Sequence, residues 1–182
     1  MSDLDELMKI IPTGDIAKQL GIPESVADAA VQQVLPGLVG GLAANAQSPQ
    51  GKASLEKAVV HHQGKAVKGG KASLKDVDTK DGEKIVGHVF GAKTDQVATT
   101  LAANSSAGDV TGEIIKQVLP IVAPIVLSWL ASKFLGGSTT TAAPKEEPAS
   151  SGGIGDVLGG LLSSKQGQDM LGGVLGGLLG GK

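Results

Sequence analysis

The chain has 182 residues and a mass of 18.1 kDa, enough for one domain or a modest domain with a tail. Apolar residues make up 41% and aromatics 2%, so the core must be aliphatic; the absence of Cys excludes a disulfide framework, a thiol nucleophile and a thiolate zinc site. All sixteen basic residues are Lys, and a net charge of -2 gives bulk attraction to neither nucleic acid nor anionic lipid.

Residues 3–11 (DLDELMKII) set Leu4, Leu7, Met8 and Ile11 on one helical face, with Pro12 and Gly14 to close it. A short helix is predicted over Asp15–Leu20, with Asp15 as N-cap and Gly21 at its end. Pro23 opens a long helix whose apolar stripe is Val26, Ala30, Val31, Val34, Leu35 and Leu38, running on through Gly40–Gly41 to about Ala46. Pro36 should kink it, because the ring removes one backbone hydrogen bond. Ser48-Pro49 starts the next helix, which reaches about His62 and carries Leu55, Val59 and Val60. Residues 63–82, rich in Gly and Lys, read as a loop. Gly82–Phe90 reads as a short helix capped by Asp81 and stopped by Gly91, and Thr94–Ala103 and Thr111–Phe134 as the last core helices.

The most apolar run, Val118 to Leu135, contains Pro120, Pro124 and Lys133. It falls short of the roughly 20 apolar residues of a spanning helix, so a buried core helix, kinked at its two prolines, is expected. The acidic start, Met1-Ser-Asp-Leu-Asp-Glu6, lacks the basic and apolar regions of a secretory signal, and a cytoplasmic location is expected. Gln33-Val-Leu-Pro36 recurs as Gln117-Val-Leu-Pro120, each preceded by a short helix and a turn. Residues 1–135 thus read as an all-α helical bundle, with two related helical hairpins as one parse.

Residues 136–153 contain no large apolar side chain and read as a disordered, flexible linker. Residues 154–182 form a Gly/Leu-rich amphipathic tail. Ile154, Val157, Leu158, Leu161 and Leu162 make one helical stripe, and Leu171, Val174, Leu175, Leu178 and Leu179 a second. Gly at most remaining positions costs roughly 0.5–1 kcal/mol each against Ala, so the tail orders only where its stripe finds a surface. Gly172, Gly176 and Gly180 recur every fourth residue, a spacing that lets two helix backbones approach closely. Self-association or docking into a groove on the core fits this pattern. Eleven residues reach about 16 Å, too short to span a bilayer; lying on a membrane is open to the tail, although it lacks a basic face.

No catalytic, cofactor or metal residues emerge. His61 and His62 point about 100° apart on a helix, not as an i,i+4 chelating pair, and His88 has no evident nucleophile or carboxylate partner. Phosphate-loop, dinucleotide and nucleophile-elbow patterns are absent. Ile16–Val26 resembles a helix-turn-helix, yet its second helix carries Glu24 and Asp28 and no basic residue. Residues 51–93 hold nine Lys against five acids, which allows at most weak, sequence-independent contact with a polyanion.

The segments DIAKQLG (Asp15–Gly21), AVQQVLPGLVGGLAANAQ (Ala30–Gln47), DGEKIVGHVFG (Asp81–Gly91), QVLPIVAPIVLSWLA (Gln117–Ala131) and the GDVLGGLL-type tail together resemble a bacterial family, domain of unknown function 937, which includes YidB-like proteins. The resemblance implies an all-helical bacterial protein and no particular activity, substrate or cofactor. The expected function is therefore non-enzymatic: an interaction or assembly protein, homo-oligomeric through the tail or a helical groove, with a further protein partner open to it and no small-molecule substrate. Weak nucleic-acid binding through the Lys-rich segment and peripheral membrane attachment through the tail are the alternatives.

Overall fold

A computed structural model of the chain describes residues 3–105 and 108–136. The elements are α1 (Asp3–Ile10), α2 (Thr13–Leu20), α3 (Glu24–Ala46), α4 (Pro49–His61), a hairpin of β1 (Val67–Lys68) and β2 (Lys71–Ala72), α5 (Thr79–Phe90), α6 (Thr94–Ala103) and α7 (Gly112–Gly136), with single 3-10 turns at Leu74–Asp76 and Gly91–Lys93. The fold is an all-α bundle with one small antiparallel ribbon, Val67 opposite Ala72 and Lys68 opposite Lys71. The linker and both tail stripes lie outside the described residues.

At the centre is α7. Every residue from Ile121 to Ala131 is buried. A helix apolar on all sides must be enclosed, and α3, α4, α5, α6 and β1 all pack on it. Among the described residues two helices, α3 and α7, have the length and apolarity to cross a membrane, but 78% of the α7 window lies inside the bundle. Short helix α2 packs on α3 and short helix α6 on α7, while α3 and α7 pack on each other.

Helix starts show where local chemistry decides. Ser48 Oγ accepts the Gly51 N–H at 3.0 Å, as the Ser-Pro start of α4 requires. Gly21 ends α2 at φ 67°, and its N–H returns to the Ala17 carbonyl. Two boundaries move. Helix α2 begins at Thr13, so Asp15 lies in its first turn, where an acid suits the helix dipole, and does not cap it. Helix α5 is capped by Asp78, whose Oδ1 accepts the Lys80 and Asp81 N–H groups at 3.0 and 3.2 Å; Asp81 is therefore inside the helix.

The segment expected as a loop is folded. Gly69 and Gly70 take φ of 57° and 76°, the two positive values of a type I′ turn, whose twist matches that of the flanking strands. Ala66 and Val67 are buried beneath it, and the Val67 N–H donates to Ser128 Oγ of α7 at 3.1 Å. The hairpin is thereby fixed to the central helix.

Prolines and glycines set the close crossings. Both α3 and α7 continue as helices through Pro36, Pro120 and Pro124. Pro124 has no N–H to offer the carbonyl of Pro120, four residues earlier. Gly82 of α5 lies directly on that free carbonyl, and a Cβ at position 82 would overlap it. On α3, Gly37 meets Leu101 of α6, and one turn later Gly41 meets Val89 and Phe90 of α5. Asn45 completes the α3–α5 seam by donating to the Val89 carbonyl at 3.0 Å.

Helix α1 is held at the far end of α7. Leu7, Ile10 and Ile11 are buried, and Glu6 accepts from Lys133 Nζ at 2.7 Å and from the Trp129 indole N–H at 3.4 Å. The Lys133 ammonium also sits 5.4 Å from the Trp129 ring centroid. The hydrogen bond from Lys133 holds the Glu6 carboxyl below its ordinary value of 4.5.

Two predictions follow from these contacts. G82A should cost at least about 1–3 kcal/mol in urea unfolding, because the methyl meets backbone, whereas G87A, in open space on α5, should be neutral or stabilising by up to ~1 kcal/mol. For the α1 tie, a lowered folded-state value means that the stabilisation is present above pH 4.5 and fades as pH falls below it. Emission from Trp129, the sole tryptophan, should report this change in acid, and E6Q should abolish that part of the titration.

Candidate functional site

A cleft of about 670 Å³ lies between α4 and α5, closed at one end by α3. Helix α4 supplies one wall because Leu55 and Val59 turn inward while Lys57 and His61 face out. Helix α5 supplies the other from Ile85, with Lys84 and His88 outside it. Leu42, Leu55, Ile85, Val89 and Leu127 give the cleft an apolar floor, and Lys57, Lys84, His61 and His88 rim it.

His62 forms the end of the cleft. It follows the last turn of α4 and is only 5% exposed. Its Nδ1 lies 2.7 Å from the Ala58 carbonyl and its Nε2 2.8 Å from Asp81 Oδ2. A carbonyl oxygen only accepts, so Nδ1 donates to Ala58, and Nε2 faces the Asp81 carboxyl. Both nitrogens are thus engaged, and neither is free to act as a base or ligand. This pair joins α4 to α5 and separates the cleft from a smaller recess of about 300 Å³ beneath the hairpin.

In that recess the carboxylates are already committed. Asp78 caps α5, Asp76 bonds Lys68 at 3.2 Å, and Asp81 holds His62. His61 accepts from Lys65 Nζ at 2.9 Å, its ring edge-on to His62 at 5.3 Å. His88 is exposed and bonds only its own helix, at the Lys84 carbonyl. Among the described residues, no group of three or more His, Asp or Glu side chains is placed to hold a metal ion.

The structure brings to the lining of this cleft all three histidines, which the sequence reading left unconnected. What it missed is the partner of His62. Asp81 lies 19 positions along the chain, and only the packing of α4 against α5 brings it within reach. One signal was present: Asp78 precedes Asp81 by three residues, and a helix start needs only one cap. The self-association residues Leu171, Gly172, Val174, Leu175, Gly176, Leu178, Leu179 and Gly180 lie outside the described residues.

Breaking the His62–Asp81 pair should be a stability lesion. D81A should cost about 1–3 kcal/mol by leaving the buried Nε2 of His62 without a partner. H62L/D81A should cost less than the sum of the two single changes in denaturant unfolding, because the orphaned group disappears.

No curated protein and no solved structure matches the chain. A family model, described as bacterial protein of unknown function (DUF937), matches residues 4–133, the helical core from α1 to the last turns of α7. The chain is therefore a member of the bacterial family designated domain of unknown function 937.

Proposed function

We propose that the protein is a non-enzymatic interaction and assembly protein of the cytoplasm, a homo-oligomer joined through the distal stripe of its Gly-rich tail. The observation that carries this reading is the contrast between core and tail. Among the described residues, Val60 is the sole exposed large hydrophobic side chain, so the bundle satisfies itself and leaves little outer apolar surface to associate through. The tail instead carries Leu171, Val174, Leu175, Leu178 and Leu179 on one helical face, with Gly172, Gly176 and Gly180 thin enough for another backbone to approach.

The mechanism is coupled ordering and burial. A Gly-rich segment gains nothing by forming a helix alone, so its ordering cost must be offset by burial, at about 25 cal/mol per Å² of apolar area removed from water. The polar cluster supports the same reading from the other side, since the one buried histidine is held at both nitrogens.

Light-scattering mass tests the proposal. The full chain should form an assembly, and L175D/L178D should reduce it to monomers while the bundle stays folded. Normal assembly by that variant, or a monomeric parent chain, overturns the reading.

A further inference from the structure

We propose that the α4/α5 cleft is covered by the first tail stripe, residues 154–162, of the same molecule. This goes beyond the assembly role, which uses the second stripe, and each stands or falls separately.

Shape and chemistry agree. The cleft has a floor of buried aliphatic side chains, Leu42, Leu55, Ile85 and Leu127, with Lys57 and Lys84 at its edge. Its one carboxylate, Asp81, is taken by His62, so the rim presents uncompensated positive charge. Residues 154–162 read IGDVLGGLL: five aliphatic residues at helical spacing, three glycines, and Asp156 as the single charge. The second stripe, Leu171 to Leu179, carries no acidic residue within it; Asp169 precedes it and Lys182 follows it. Nine residues wound as a helix span about 14 Å, shorter than the ~20 Å of α4, so the segment fits along that wall.

The tether selects the same molecule over a second copy. Leu127, on the cleft floor, lies nine residues before the end of α7 at Gly136, about 14 Å along the helix. A Gly/Ser-type chain of seventeen residues, the length of 137–153, would have an r.m.s. span of roughly 21–25 Å. A linker of that span holds the stripe near its own cleft at an effective concentration on the order of millimolar, above that of any neighbour in dilute solution. Docking lays Ile154, Val157, Leu158, Leu161 and Leu162 on the aliphatic floor and brings Asp156 to Lys57 and Lys84.

Hydrogen exchange on the full chain tests this. Relative to the parent, L158D/L161D should exchange α4 and α5 amides about tenfold faster or more, with α2 and the first half of α3 unchanged. K57E/K84E should do the same, and adding D156K should restore protection. L175D/L178D should lose assembly and keep cleft protection. Unchanged exchange in L158D/L161D overturns the proposal. So does protection that vanishes on dilution, which assigns the occupant to another copy, or protection lost in L175D/L178D alone, which assigns it to the second stripe. Mass decides assembly and exchange decides the cleft, so failure of one leaves the other legible.

Discussion

Everything in this fold depends on enclosing α7. Eleven consecutive residues, Ile121 to Ala131, are buried, and a helix with no polar side has no stable place except inside other helices. That requirement recruits α3, α4, α5 and α6 around it and draws the hairpin down through the bond from Val67 to Ser128. It also sets the role of glycine. With almost no aromatic side chains to bridge gaps, the layers must come close. Gly82 on the Pro120 carbonyl, and Gly37 and Gly41 on α3, are the places where backbones or bulky side chains fill the space that a Cβ would take.

The prolines of α7 belong to the same logic. In an exposed helix two prolines four residues apart would be a fault, since each removes a hydrogen bond. Here the surrounding helices hold α7 in place, and the carbonyl that Pro124 leaves without a helical partner is the surface on which α5 lies. The position of α5 then fixes Asp81, and Asp81 fixes His62. The cleft between α4 and α5 thus traces back to a backbone feature of the central helix.

Charge completes the picture at two helix junctions. At one, Glu6, Lys133 and Trp129 tie the first helix to the last across the length of the sequence. At the second, the His62–Asp81 pair joins α4 to α5, beside a cleft rim that carries Lys57 and Lys84. Both hold helices together.

The sequence by itself determined the helices and most of their ends, because those rest on interactions within one or two turns: the aliphatic stripe of α3, the Ser48 cap, the Gly21 stop. It determined the buried character of α7, because apolarity on every side is a one-dimensional property. It misplaced the caps of α2 and α5, where several polar residues within three positions compete for one role. It missed the hairpin, because Gly69-Gly70 is flanked by strands of only two residues, too short for alternation to show. The His62–Asp81 pair, the Gly82 crossing and the cleft were decided by tertiary structure alone. Each joins groups 19 or more residues apart, and no local spacing encodes which faces two helices turn toward each other once α7 has gathered them.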